Sequence, residues 1–427
     1  MAPTPHPRAA TPAVGSERHV AGTRGLHAMA LGDSGTRPIF APRRATAPAR
    51  SKYSEHVEPS RLLTVLVTAS ASPLNPSTAI LRELILSLTH LQLPQGNLVL
   101  LSHDGPRLKR DAHAHNASAP YSWPLLAKSM AAQEFPSKYL QYLGDVQRLI
   151  PEFEACTHLT IRLLQRATNG HLAGNLAFAL AYVRTPYMLK VEHDHLFTRP
   201  FNVLSVVRDM IADPQLKYVR FNRRENIRVR CDNGDYYRSS PPDQLLGQAL
   251  WGAHMPRGGV RLANNYTRTC CFSDMNHLTR TDYYRTWVLP VILRPDWGYP
   301  TVTPENLMQD YCWIARNHST YGTYIFDAID APPTIAHVDA ALHGVGELLP
   351  QVRVWARDVR ARARNGTADG PFRCSAPLDL RPPDGLDVAQ TVHRLRHERS
   401  SQAQRAPQGA KLPMRHAPRA REPRRIP

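Results

Sequence analysis

Apolar residues in the middle of this chain alternate between short β-branched runs and longer stretches at helical spacing. Residues 62–68 (LLTVLVT) form a compact apolar run, which predicts a buried strand. Residues 77–91 follow with Ile80, Leu84, Leu88 and Leu91 on one helical face, and Asn75-Pro76 in front suits a helix start. Residues 97–102 (NLVLLS) predict a second strand, ended by the turn signal His103-Asp104-Gly105-Pro106. A third strand is expected at 158–164, a helix at 170–183 and a fourth strand at 187–191. Beyond these, 201–211 is amphipathic, 217–221 is strand-like and 223–263 is irregular, charged and broken by Pro241-Pro242 and Gly258-Gly259. Strands apolar on both faces, separated by helices, predict an α/β fold with a mostly parallel sheet. Such sheets bind ligands outside the carboxyl ends of their strands, so chemistry is expected just after Thr68, Ser102, Leu164 and Val191.

The fourth strand carries the most informative ending, YMLKVEHDH at 187–195. With period-two alternation continued, Glu192 and Asp194 project to one side and His193 and His195 to the other. Two carboxylates at a strand end suit a hard divalent cation, Mn²⁺ or Mg²⁺, which completes its shell with phosphate oxygens and water. The bland alternative is a strand that ends in solvated polar residues.

The stretch RATNGHLAGNLAFALAYVRTPYMLKVEHDH at 166–195 resembles the core of GT-A-fold glycosyltransferases, of the family 2-like kind. In those enzymes an Arg/Asn/Gly-containing helix start precedes a strand ending in a D-x-D-type motif; here Glu192 replaces its first Asp. The resemblance implies a nucleotide-sugar donor, UDP-linked, with Thr68, Ser70, Asp104, Arg166, Asn169 and Asn175 around it and Trp251 as a sugar platform. Metal ligands would be Glu192, Asp194 and a late histidine, His337. Residues 271–287 resemble the acceptor-side segment. Thr303 can cap the helix that opens with Pro304-Glu305, where a carboxylate is also favoured by the helix dipole alone. In inverting members an acidic residue there is the general base, which implies Glu305, with Asp310 as the fallback. The acceptor would be a hydroxyl of a glycan, protein or lipid.

Charge redraws the boundaries rather than the function. The chain of 427 residues carries +18, but residues 1–50 hold +5 of it and residues 351–427 hold +10, leaving +3 for the middle. A near-neutral centre with basic arms argues against a dedicated nucleic-acid fold. Residues 1–59 are thus expected to be a disordered or targeting arm, 60–350 the catalytic domain (donor half 60–200, acceptor half 201–350), and 351–427 a largely disordered tail with a short helix at 352–364. No run of 18 apolar residues predicts a membrane span. Four Asn-x-Ser/Thr sequons (Asn116, Asn265, Asn317, Asn365) favour a secretory, Golgi-like lumen and a glycoprotein, with plastid or cytoplasm as alternatives. The six cysteines have no CxxC spacing; they permit disulfides or buried thiols equally. Three rival readings are weighed, one of them a salt-sensitive nucleic-acid-binding role for the basic arms. A sugar-nucleotide pyrophosphorylase needs a Gly-rich basic loop after the first strand, which 68–77 lacks. A catalytically silent carbohydrate- or nucleotide-binding module draws support from the Glu192 substitution.

Overall fold

The computed structural model describes residues 58–71, 75–105, 134–223, 226, 249–270, 272–293, 304–309 and 318–338, with 355, 357–359, 361, 369 and 372–377 near the C-terminus. Its centre is a nine-stranded sheet. In chain order the strands are β1 (Leu63–Ala69), β2 (Leu98–His103), β3 (Thr160–Gln165), β4 (Tyr187–Glu192), β6 (Tyr218–Arg220), β7 (Gly252–Ala253), β8 (Tyr266–Arg268), β9 (His277–Arg280) and β10 (Thr323–Phe326). A separate pair joins β5 (His195–Phe197) to β11 (Ile335–His337). The sheet order is β3-β2-β1-β4-β9-β6-β10-β8-β7. Strands β3, β2, β1 and β4 are mutually parallel, and only β9 and β8 run against the common direction. The expected α/β, mostly parallel architecture is the one present.

The longer helices among the described residues are α1 (Ala79–Ser87), α2 (Glu134–Thr157), α3 (His171–Leu180), α4 (Val203–Ala212) and α5 (Pro304–Gln309). Every residue of β1 is buried, because helices cover both faces of the sheet. Alternation sorts its side chains. Val65 and Val67 pack with Leu84, Val99, Tyr139, Phe153 and Val207 on the α1/α2/α4 side. Leu66 packs with Leu100, Leu176, Met188 and Tyr284 on the α3 side. Each fully buried aliphatic side chain here contributes about 1.5–3 kcal/mol. At the start of α4, the Asn202 side chain accepts from Ser205 N at 3.2 Å.

Strand order reverses around β1: the chain moves outward through β2 and β3, then returns to the other flank of β1 as β4. The connections leaving β1 and β4 diverge, opening a crevice at their carboxyl ends. Among the described residues, no helix is long and apolar enough to cross a membrane.

Part of the segment expected to be an unpacked tail is packed. Val359 is buried, Trp355 and Phe372 lie against the α1/α2 core, and Cys374 forms a disulfide with Cys156 at the end of α2. Cys270 is buried, while Cys231, Cys271 and Cys312 lie outside the described residues. Truncation after residue 364 removes this bridge and is expected to cost about 2–4 kcal/mol. The melting temperature should fall by roughly 5–15 °C, readable by calorimetry. An unchanged midpoint would show that the bridge contributes nothing to the fold.

Candidate functional site

Strand β4 stops at Glu192, and the chain turns at His193–Asp194 before β5 begins. The alternation expected through 195 therefore breaks, and His195 joins the carboxylates instead of opposing them. Its Nδ1 lies 3.0 Å from Asp194 Oδ1 and 3.2 Å from Glu192 Oε2. The turn is held by Asn276, whose Oδ1 accepts from Glu192 N and whose Nδ2 donates to His195 O, both at 2.9 Å.

His337 arrives from 143 residues away in sequence because β11 pairs antiparallel with β5, in a register that sets His337 opposite His195. Directly paired residues share a face, so the two imidazoles stack with centroids 4.3 Å apart and planes 5° from parallel. His337 Nε2 is 3.0 Å from Asp194 Oδ2, and Val338 N donates to Asp194 O at 2.9 Å.

Asp194, His195 and His337 each offer a ligand atom, and these atoms lie within 4.8 Å of one another. That oxygen-and-imidazole set suits a divalent transition-metal ion. The buried His195 Nε2 has no hydrogen-bond partner among the described residues. Electrostatics point the same way. Burial alone would lower the His195 pKa, but Asp194 and Glu192 outweigh it and raise it to about 9. Burial would raise the Asp194 pKa, yet the charge of His195 and hydrogen bonds from His195 and His337 hold it well below the ordinary carboxylate range. The two carboxylates thus demand positive charge in this corner, and a divalent cation would answer the same demand as the proton on His195.

Glu192 is engaged differently from the expectation that paired it with Asp194 around one ion. Its Oε1 accepts from the fully buried Lys190 Nζ at 2.6 Å. Burial pushes the Glu192 pKa up, but Lys190 and His195 overcome this and hold it at about 2. Lys190 also donates to the Asp274 carbonyl. The Asp274 carboxyl is pushed well above its ordinary range by burial and by the charges of Glu192 and Glu305, and it is hydrogen-bonded to Glu305. Glu305, in the first turn of α5, is thereby linked to the acidic strand end through Asp274. No sequence signal singles out Asp274. It follows the buried Phe272 and Ser273 in an irregular stretch, and only the β9–β4 pairing brings it beside Lys190.

A second cluster sits at the ends of β2 and β3. Asp104 Oδ1 accepts from Gly105 N (3.0 Å) and Gly170 N (2.8 Å), and Oδ2 accepts from Asn169 Nδ2 (2.9 Å). Arg166 Nε lies 3.5 Å from the same carboxylate. Glycine is required at 105, because a Cβ there would lie 2.2 Å from the Thr168 carbonyl carbon. Asn175 is buried in α3: it accepts from Ser102 Oγ at 2.7 Å and donates to the carbonyls of Ser102 (3.1 Å) and Ala69 (3.3 Å). The Thr68 hydroxyl donates to Val191 O at 3.3 Å, whereas Ser70 is exposed at the end of β1. Thr68 and Asn175 thus turn their polar atoms inward, and Ser70 turns outward. Asn175→Ala is expected to cost about 1–3 kcal/mol in urea unfolding, because buried groups on β1 and β2 lose a partner. An unchanged unfolding midpoint would move Asn175 from scaffold to ligand contact.

Trp251 is half-buried next to β7 at the far edge of the sheet. It lies five strand spacings from β4, on the order of 24 Å. The structure therefore does not bring Trp251 together with the acidic strand end. Asp310 and Thr303 lie outside the described residues.

No protein-family model matches the sequence, and no curated protein matches it. Several solved structures are similar in part. TarS from S. aureus is 12% identical, with 70% of this chain and 39% of TarS covered and a TM-score of 0.33. The mannosyltransferase PcManGT from Pyrobaculum calidifontis, solved with GDP-Man and Mn²⁺, is 12% identical over 81% of each chain, TM-score 0.32. A 4-diphosphocytidyl-2C-methyl-D-erythritol synthase from Anaerococcus prevotii is 8% identical over 71% of this chain and 100% of its own, TM-score 0.33. This chain thus spans less than two thirds of TarS. At these scores a sugar transferase and a nucleotidyl-group enzyme are equally similar, so the likeness does not discriminate between them.

Proposed function

We propose that this chain is a GT-A-type, family 2-like glycosyltransferase that moves a sugar from a nucleoside-diphosphate donor, UDP-linked, to an acceptor hydroxyl with inversion. The observation that carries this reading is the corner at the end of β4. There a carboxylate and two stacked imidazoles meet at the carboxyl end of β4, with a hydrogen-bonded Asp104–Asn169–Arg166 cluster two strands further along the same edge. In this reading Asp194, His195 and His337 hold Mn²⁺ or Mg²⁺, which supplies positive charge against the departing diphosphate. Ser70 and Asn169 face the nucleotide. Asp104 fixes the start of α3, and Asn175 keeps the ends of β1 and β2 in register. Lys190 keeps Glu192 ionised beside the ion without making it a ligand. Glu305 takes the acceptor proton, and Asp274 steadies it. The donor half is 60–200 and the acceptor half 201–350, with the packed C-terminal segment added to the donor half. The Cys156–Cys374 bridge supports an oxidising compartment such as the secretory lumen.

A second reading, a silent nucleotide- or carbohydrate-binding module, is favoured by one observation: Lys190 neutralises Glu192, leaving a single carboxylate for metal. Incubation with a panel of UDP- and GDP-sugars, with and without Mn²⁺, separates the two. Metal-stimulated donor turnover is expected. Nucleotide binding without turnover on any donor would favour the silent module.

A further inference from the structure

At the start of α1, Ser77 Oγ accepts from Ala79 N at 3.3 Å and Thr78 Oγ1 accepts from Arg82 Nε at 2.9 Å, but Thr78, at the cap position, makes no side-chain bond to a helix amide. A carboxylate from far downstream completes this capping cluster. Asp369 Oδ2 accepts from Thr78 N at 2.5 Å and from Thr78 Oγ1 at 3.0 Å, and Ser77 Oγ lies 3.1 Å from both carboxylate oxygens. An anion placed there meets the unpaired amides and the positive end of the helix dipole. Beyond Asp369 the chain crosses α1 and α2. Phe372 packs edge-on against Phe153 of α2 at 4.8 Å, and the Arg82 guanidinium of α1 lies 5.8 Å from the Phe372 ring centre. Cys374 then closes the segment onto Cys156 of α2. Asp369 and residues 372–374, together called the strap, are tied to the start of α1 and to the end of α2.

The start of α1 is also where the chain that leaves β1 re-enters regular structure, and the exposed Ser70 directly follows that strand. We propose that Asp369 is a positioning residue for the donor-binding end of β1, and that the Cys156–Cys374 bridge holds it in place. This inference rests on the reading of the β1/β4 crevice as a donor site. It makes donor affinity depend on redox state. Cys374 is exposed and Cys156 half-buried, so a small dithiol reaches the bridge. Reduction transfers two electrons and two protons to the protein, giving two thiols, while the dithiol closes to its own cyclic disulfide. The strap then stays docked only through Asp369 and Phe372. None of these residues contacts the acidic strand end, so the effect falls on donor binding and not on the chemical step.

The test uses the full chain, with UDP plus Mn²⁺ as the binding probe, UDP-sugar turnover as the kinetic readout, and amide exchange at residues 77–80. Asp369→Ala is expected to raise the UDP Kd and donor KM roughly 3- to 30-fold, the range for a lost helix cap. The kcat at saturating donor should stay within about twofold. Asp369→Asn keeps an oxygen that can accept from Thr78 N and should recover most of the loss. Cys374→Ser should weaken UDP binding in the same direction, and a dithiol should weaken wild type but not Cys374→Ser. Unchanged Kd and KM in Asp369→Ala, with only a lower melting temperature, overturns the proposal, as does a fall in kcat without a change in KM. A wild-type protein that binds neither UDP nor GDP overturns the donor reading and this inference with it. Faster exchange at 77–80 in Asp369→Ala would then show that the cap exists but positions no donor.

Discussion

Asp194→Ala is expected to reduce metal-dependent donor turnover by roughly 100-fold or more, a loss at least as large as that from disturbing the support of a metal ligand. Asp194 is the hub of the corner: one oxygen faces His195 and the other faces His337, so its removal leaves two imidazoles and no anion between them. The fold should tolerate the change. Glu192 remains 3.2 Å from His195 Nδ1 and still balances a proton on that ring, so no buried cation is stranded. The cost in stability should be about 1–3 kcal/mol, far less than the whole. Turnover is measured across a Mn²⁺ series, with a melting curve on the same preparation. Activity within a few-fold of wild type and an unaltered metal response would remove Asp194 from the metal site. Glu192→Gln is the companion. If Lys190 holds Glu192 out of the metal's ligand set, half-saturation by Mn²⁺ should shift far less than in Asp194→Ala.

Much of this arrangement is legible in the pattern of apolar residues, and the exceptions have physical causes. Strands β1, β2 and β4 read clearly because burial on both faces leaves near-continuous apolar runs. The acidic ending of β4 is visible for the same reason, since charge directly after such a run marks the strand's carboxyl end. Helix α2 is harder to see. Tyr139, Tyr142, Leu143, Val146, Ile150 and Phe153 do line one face, but Gly144 and Pro151 punctuate the stretch as a loop would. Strand β9 is visible through the family resemblance at 271–287 but not in the apolar pattern, because its row in the sheet is polar: Lys190, His277 and Arg220 are cross-strand partners and all three are buried. The turn at His193–Asp194 defeats simple alternation, because Asn276, 84 residues from Glu192, satisfies the backbone groups that would otherwise extend the strand. The strap is invisible for a related reason. Its partners lie 218 residues apart for the disulfide and 291 for Asp369 and Thr78, and composition marks this region only as basic and proline-rich. Local pattern thus reports burial well, and it reports poorly on polar residues whose partners come from distant segments.

Glu305→Gln separates a catalytic role from a structural one at the opening of α5. The substitution keeps size and most hydrogen-bonding capacity but removes the ability to accept a proton. If Glu305 takes the acceptor proton, sugar transfer should fall by roughly 10²-fold or more. Donor affinity should change little, because Asp104, Asn169 and Arg166, the cluster proposed to flank the nucleotide, lie on other elements. If Glu305 only complements the helix dipole, the change should cost less than about 1 kcal/mol and leave transfer intact. The hydrogen bond between Asp274 and Glu305 adds a second comparison. Asp274→Asn still offers a donor to Glu305, so transfer should survive it largely intact. Asp274→Leu removes that donor and should reduce transfer, with UDP affinity largely retained. Turnover, UDP affinity and melting temperature measured together on the three variants place the base. Full transfer in Glu305→Gln with a small loss of stability would shift the role to Asp310.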